Sequence, residues 1–341
     1  MPASPAFLER LARVVPDLAR GYGTPFHVYD AAGILASHRA VVSAFGDWPA
    51  RQHFAVKALP NPAVLKLLAE AGSGLDCSSP AELLLADAAG VTGRDIVFTS
   101  NNTTRAEYEM ALARGCLVTF DDVAHMDRAQ RLPGTVAFRV APHTGGASSA
   151  LMGAAGASKF GVPRGRLAEA YARARARGAR SFGIHGMTCA NELDLARALQ
   201  AARDLVATAL EVEREAGITF DYVNVGGGLG IPYRPGEAPF DLAGWAAGLV
   251  GLLREAFGGR QVRLVTELGR IVTGPHGVLV TTVVNRLDKG RAIVGLDASM
   301  SALMRPGFYE NAWHHVTLPF AGKERPRVLA DVVGSLCENV D

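Results

Sequence analysis

What most constrains this chain is an alternation of strand-like and helix-like segments that persists through most of its length. Eight strand-like segments occur: Phe54–Val56, Gly74–Cys77, Ile96–Phe98, Leu117–Phe120, Val136–Val140, Phe182–His185, Tyr222–Val225 and Val262–Glu267. Helical patterns separate them. The clearest, Glu192–Gly217, carries Leu195, Leu199, Ala202, Val206 and Leu210 at helical spacing. Another, Val162–Gly178, has Pro163 near its start and Gly178 just past its end. Eight strands alternating with helices over about 240 residues is the count and size of a (β/α)8 barrel. A doubly wound sheet is the competing arrangement. No internal sequence repeat is present.

The flanks differ from this pattern. Residues Met1–Arg20 read as a helix with Phe7, Leu8, Leu11, Val14 and Val15 on its apolar face, and Phe26–Tyr29 as a brief strand. Thr144–Ser158 is rich in Gly, Ala and Ser and reads as a mobile loop. From about Ile271 the texture changes. Gly277–Leu287, Ala292–Asp297, Trp313–Leu318 and Arg327–Val333 are rich in Val, Leu and Thr, with turn residues between them, as in an all-β domain. The expected organisation is residues 1–29 as a helix and a strand that joins the β domain, 30–270 as the barrel, and 271–341 as the β domain. The chain stops at Asp341 directly after a strand, so that β domain is expected to be incomplete, with an open edge.

Composition excludes several classes of function. Lys+Arg 35 against Asp+Glu 33 gives a net charge of +2, too balanced for a nucleic-acid or anionic-membrane partner. The four cysteines, Cys77, Cys116, Cys189 and Cys337, show no CxxC spacing, so neither a zinc site nor a disulfide scaffold is indicated. No apolar signal core and no run approaching a membrane span occur, which makes the cytoplasm the expected address.

In a barrel of this kind the active site lies at the C-terminal ends of the strands. Those ends carry Lys57, Asp76, Arg139, His185, the run Gly226-Gly227-Gly228-Leu229-Gly230, and Glu267. Each has a plainer reading alone. Lys57 in HFAVKALPNP is a lysine snorkelling at a strand end, or a partly buried amine with a lowered pKa, suited to Schiff-base chemistry. His185 alone is a satisfied core histidine, and Glu267 beside Arg270 a rim ion pair. The glycine run is a tight turn, or a place where backbone N–H groups approach an anion. It is neither a Walker loop nor GxGxxG, because Ile231 takes the last glycine position. Together the parts describe a pyridoxal 5'-phosphate site. The lysine holds the aldehyde as an imine, and the glycine turn holds the phosphate. A carboxylate keeps the pyridine nitrogen protonated, and an imidazole lies flat on the ring.

At this point the sequence resembles the fold-type III pyridoxal phosphate decarboxylases, and within them diaminopimelate decarboxylase. The motifs are YGTPFHVYD at 22–30, FAVKALPNP at 54–62, GSGLDCSSPAEL at 72–83 and SKFG at 158–161. VGGGLG at 225–230, ELGR at 267–270, RPGFY at 305–309 and CEN at 337–339 follow. The resemblance implies that Lys57 bonds the cofactor, His185 stacks on its ring and Glu267 pairs with the pyridine nitrogen. It implies that Gly226, Gly227, Gly228 and Arg270 lie near the phosphate or substrate. It further implies that Arg305 and Tyr309 hold the distal part of the substrate. Cys337 and Glu338 would enter the site of a partner subunit in a homodimer, with Cys337 returning a proton to the product.

Two departures stand out. Where the family has His-x-Gly-Ser-Gln, this chain has His185-Gly186-Met187-Thr188-Cys189, with Thr188 in place of a phosphate-binding serine. Glu-Pro-Gly-Arg becomes Glu267-Leu268-Gly269-Arg270. Arg305 and Tyr309 suit a second carboxylate and Glu338 a second ammonium, the pair at the far end of meso-2,6-diaminopimelate. Lysine formation is therefore the expected reaction. The alternatives are decarboxylation of ornithine, arginine, lysine or carboxynorspermidine, and a non-catalytic homologue that only binds the cofactor.

Overall fold

Eight parallel strands close into a barrel: β2 (Ala50–Ala55), β3 (Gly74–Cys77), β4 (Ile96–Thr99), β5 (Leu117–Phe120), β6 (Val136–Val140), β7 (Phe182–Gly186), β8 (Tyr222–Asn224) and β9 (Arg263–Thr266). Their order around the barrel is their order in the chain, with β9 pairing back onto β2. The doubly wound alternative is thereby excluded. The computed structural model describes residues 3–142, 158–187, 189–234, 236–309, 312–318 and 328–341. The expected loop Thr144–Ser158 lies outside the described residues except for Ser158, and so does Thr188.

Helices α2 (Ala31–Ser43), α3 (Pro62–Glu70), α4 (Pro80–Ala88), α5 (Arg105–Ala113), α6 (Val123–Arg128), α7 (Arg164–Ala176), α8 (Leu195–Ala216) and α9 (Leu242–Phe257) accompany the strands. Their starts are written locally. Asn61 accepts from the N–H groups of Ala63 and Val64, Ser79 from Glu82, and Asp194 from Arg197. Thr104 and Glu107 form a reciprocal capping box. Helix α8 ends on Gly217 in the left-handed conformation, φ 63°. Its buried face differs from the expected one. Of the expected stripe Ala202 and Val206 are buried while Leu210 is exposed, and Ala198, Leu205, Ala209 and Val212 complete the buried face.

Inside the barrel Val97, Leu117, Ala137, Tyr222 and Val265 form a buried cluster. The Tyr222 ring takes the space a Cβ at Gly183 would need, 2.1 Å away, so a glycine on β7 admits the large ring from β8. Tyr171 of α7 pins the neighbouring edge: its hydroxyl donates to Gly183 O at 2.6 Å and accepts from Phe138 N at 3.1 Å.

The chain divides into two units. Ile34–Ile231 and Pro239–Thr273 form the barrel unit; Met1–Gly33, Pro232–Ala238 and Gly274–Asp341 form the other. In the latter, α1 (Pro5–Tyr22) buries Phe7, Leu11 and Val15, spaced by four, against Val28, Val278 and Val280. Val14, expected on that face, is exposed. Strand β1 (Phe26–Tyr29) pairs antiparallel with β10 (Gly277–Val280). A three-stranded sheet follows: β11 (Val283–Asp288), β12 (Ala292–Leu296) and β13 (Asp331–Val333), with β12 and β13 parallel. Two short helices, α10 (Arg270–Thr273) in the barrel unit and α11 (Arg305–Phe308) here, complete the elements. Trp313–Leu318, expected as a strand, forms no ladder among the described residues. Val316 and Leu318 lie exposed at 67% and 75%, with nothing covering an apolar strand face. The strand expected from Arg327 is present only at Asp331–Val333, and Arg327 lies outside the described residues.

Candidate active site

Strand β2 ends at Ala55, and a single 3-10 turn, Val56–Ala58, carries Lys57 instead of a continued strand. The Asn61 cap of α3 fixes where the chain goes next. Lys57 Nζ lies 2.8 Å from Asp76 Oδ2 on β3, whose carboxylate is buried. Its own side chain stays 55% exposed, so the amine is reachable. The expectation of a lowered lysine pKa is overturned. The charge of Asp76, joined by Glu267, outweighs desolvation and holds the Lys57 ammonium above the usual lysine range.

Glu267 follows β9, and three contacts fix it. Asn224 Nδ2, at the end of β8, donates to Oε1 at 2.7 Å. His185 Nε2, on β7, stands 3.3 Å from Oε2. The Glu267 N–H donates to Gly226 O at 2.7 Å. Gln52 braces the same segment, donating to Leu268 O at 2.6 Å and accepting from the Thr266 hydroxyl at 2.5 Å. Burial pushes the Glu267 carboxyl up, but His185, Lys57 and Asn224 together bring it down to about 2. Asp76 moves the other way, up to about 6, through burial and the neighbouring Glu267 charge, with Lys57 only partly offsetting them.

The glycine turn after β8 is a built cradle. Gly226 has φ 68° and Gly228 φ 93°, conformations that disfavour a side chain. A Cβ at Gly227 would lie 2.4 Å from Glu267 O, and one at Gly228 2.3 Å from Cys189 O. The Gly226 N–H is held by Asn224 Oδ1 at 2.9 Å, and the Gly227 N–H meets Met187 Sδ at 3.3 Å. Asn224 thus ties the turn to Glu267.

Arg139, on β6, is fastened by Asp121 at 2.5 Å and lies over the Phe160 ring at 4.6 Å. Its buried Nη2 has no hydrogen-bond partner among the described residues. Arg270 Nη1 bonds Asn191 Oδ1 at 3.3 Å. The barrel therefore brings two groups to its strand ends, the Lys57–Asp76 ion pair and the set His185, Glu267, Asn224 and Gly226 joined by hydrogen bonds and an ion pair, and the charge of Glu267 acts on both Lys57 and Asp76. The remaining expected residues belong to the other unit. There Arg305 lies 4.2 Å over the Tyr233 ring and donates to Trp313 O at 3.2 Å. Tyr309 is half-exposed, Cys337 is an exposed free thiol, and Glu338 Oε1 accepts from Asn339 N at 2.9 Å.

Asn224, Gln52, Asp121 and Met187 are absent from the sequence-based set. Asn224 and Asp121 stand at or just past the ends of β8 and β5, so the strand-end rule reaches them. Gln52 and Met187 carry no signal of their own.

The donor set fits pyridoxal phosphate: an accessible amine, a carboxylate held ionised, an imidazole beside it and a turn that only glycine can occupy. Residues 31–274 match the pyridoxal-binding domain of pyridoxal-dependent decarboxylases. Protein TabA of Pseudomonas amygdali pv. tabaci is 55% identical over 341 residues, all of this chain and 81% of that protein. The diaminopimelate decarboxylase of Thermoplasma acidophilum is 32% identical over 329 residues, 96% of this chain and 79% of that one. Among solved structures, the Helicobacter pylori diaminopimelate decarboxylase complexed with L-lysine superposes with a TM-score of 0.84 at 26% identity, covering 96% of this chain and 82% of that one. The chain belongs to the fold-type III pyridoxal-dependent amino-acid decarboxylases, and its cofactor is pyridoxal 5'-phosphate.

Proposed function

We propose that the chain decarboxylates meso-2,6-diaminopimelate to L-lysine. The observation that carries this reading is the pair of groups at the strand ends: the Lys57 amine beside Asp76, and a Glu267 carboxylate held ionised by His185 and Asn224. When bound, the cofactor supplies an electron sink for the pair left behind as the carboxylate departs as CO2. Lys57 is the amine that attaches it, and Asp76 is the carboxylate that holds that amine's proton. Glu267 presents a fixed negative charge to the pyridine nitrogen. His185 orients Glu267 and would be the side chain set against the ring. The glycine turn, with Arg139, Thr188 and Arg270, takes the phosphate side. For the distal end of the substrate, Arg305 and Tyr309 suit a carboxylate and Glu338 an ammonium. Cys337, contributed by a second copy of the chain in a homodimer, returns a proton to the carbon that lost CO2. Relatives named diaminopimelate decarboxylase at 32–33% identity support this substrate.

A second reading has an observation of its own: the relative at 55% identity is not named a diaminopimelate decarboxylase, which favours a different amino acid as substrate. The test has two parts. Borohydride reduction of the cofactor-loaded protein and peptide mapping put the adduct on Lys57; an adduct on Lys66 or Lys159 overturns the site. CO2 release is then measured from meso-diaminopimelate, ornithine, arginine, lysine and carboxynorspermidine. Turnover of meso-diaminopimelate well above the rest is expected, and preference for any other substrate overturns the assignment.

A further inference from the structure

We propose that Met187 is a placeholder in the phosphate cradle: its thioether caps the Gly227 N–H until the cofactor's phosphate takes that N–H over, and so sets the affinity for cofactor. Gly227 N donates to Met187 Sδ at 3.3 Å. The same sulfur lies 3.0 Å from where a Gly226 Cβ would stand, with His185 Nε2 at 3.4 Å from that point. Gly186 O lies nearer still to that point, at 2.7 Å, so a carbonyl, the sulfur and the imidazole all border the turn. The neighbouring Gly226 N–H is already taken by Asn224 Oδ1, an oxygen fixed in place by its role at Glu267.

The two N–H groups are satisfied very differently. An amide oxygen is a full acceptor; a thioether is a weak one. A phosphate oxygen is charged and forms a far stronger bond to the same N–H. Exchange of sulfur for phosphate at Gly227 is thus downhill, whereas exchange at Gly226 would break Asn224 away from the turn. Methionine has three rotatable bonds and adapts to irregular spaces, so it leaves at small cost. Met187 is only half-buried, which gives the side chain somewhere to go. It also falls in the segment His185–Cys189 where this chain departs from the family pattern. Its role is positioning, exerted on the cradle before the cofactor arrives.

The inference predicts a phosphate-specific effect on binding, measured without turnover. Cofactor-free protein is titrated with pyridoxal phosphate and with pyridoxal, which lacks the phosphate, following absorbance and protein fluorescence. Met187→Gly and Met187→Ala remove the competing sulfur. Loss of one neutral hydrogen bond from the free state tightens pyridoxal phosphate binding by about two- to tenfold. Pyridoxal binding should stay unchanged in both. Thermal melting of the cofactor-free variants identifies a variant that fails to fold, and the other then carries the test. Unchanged or weaker pyridoxal phosphate binding overturns the proposal. So does an equal shift for both ligands, because the effect would then lie away from the phosphate. Inorganic phosphate provides an independent probe: it should protect the variants against thermal unfolding at lower concentration than the wild type, and identical protection would count against the placeholder.

Discussion

Replacing Glu267 by glutamine is the sharpest perturbation of this site, because the geometry separates charge from shape. In the Glu267→Gln variant the side-chain amide oxygen keeps the acceptor that Asn224 Nδ2 uses at 2.7 Å. The backbone bond to Gly226 O at 2.7 Å and the Gln52 brace do not involve the side chain and persist. What is lost is the negative charge beside His185 Nε2 at 3.3 Å. The wild-type carboxyl, down to about 2, is ionised at neutral pH, so the charge is a fixed feature of the mouth there. A fixed charge aimed at the place where charge develops is worth on the order of 10²- to 10³-fold in kcat, about 3–4 kcal/mol. The expected variant folds, melts near the wild type, attaches cofactor at Lys57 and releases CO2 at least about a hundredfold more slowly. Absorbance reports loading and CO2 capture reports turnover, in one preparation. Near-wild-type kcat in a fully loaded variant would refute the role of the charge. Loss of loading with normal chemistry in the remaining fraction would relocate it to cofactor binding.

Four other outcomes follow from the same contacts. Asp76→Asn removes the counter-ion of Lys57, so the free amine forms at lower pH; the pH dependence of cofactor loading should move down by about one to three pH units, and an unmoved profile would show that Asp76 does not set the Lys57 charge. Asn224→Leu leaves Glu267 Oε1 and the Gly226 N–H without their partner, and should lower unfolding stability by about 2–4 kcal/mol in denaturant titration while weakening cofactor binding; wild-type stability would contradict it. Arg305→Ala should cost about 2–5 kcal/mol in kcat/KM for a substrate with a distal carboxylate and much less for one without; equal losses would make Arg305 structural. Mixing Lys57→Ala with Cys337→Ala subunits should restore activity that neither has alone if sites are shared across a homodimer; mixed dimers without activity would mean that each subunit works alone.

Much of the barrel was legible because strand-forming runs are short, apolar and bounded by helix caps and glycines. Gly74–Cys77 and Val136–Val140 coincide with β3 and β6 residue for residue, and the other strands begin or end within a few residues of expectation. The departures have physical causes. Val56 left the strand because Val56–Ala58 form a 3-10 turn, a local choice that apolar runs do not encode. The buried face of α8 shifted in part, keeping Ala202 and Val206 but not Leu210, because several stripes share helical spacing. Trp313–Leu318 looked like a strand by composition, yet a strand needs a partner, and composition does not supply one. At the site, strand ends revealed which residues share the mouth. Charge states did not follow, since a pKa depends on distances such as the 2.8 Å between Lys57 and Asp76.

The two carboxylates show why that distinction matters. Both are buried and both feel Lys57, yet they are driven apart. Glu267 has His185 and Asn224 as added close partners and falls to about 2; Asp76 relies chiefly on Lys57 and rises to about 6. Their effects on folding oppose each other. The Glu267 contribution is complete above its ordinary value of 4.5 and is lost as pH falls toward about 2. Ionising Asp76 costs stability above about pH 6, and that cost lifts as pH falls from there toward the ordinary value of 3.8. The pairing also assigns the proton. With Asp76 Oδ2 2.8 Å away and ionised above about pH 6, the ion pair keeps the proton on the Lys57 ammonium, while Glu267 is held to its charge. One carboxylate thus holds the Lys57 ammonium in its charged form while the other keeps its own charge fixed.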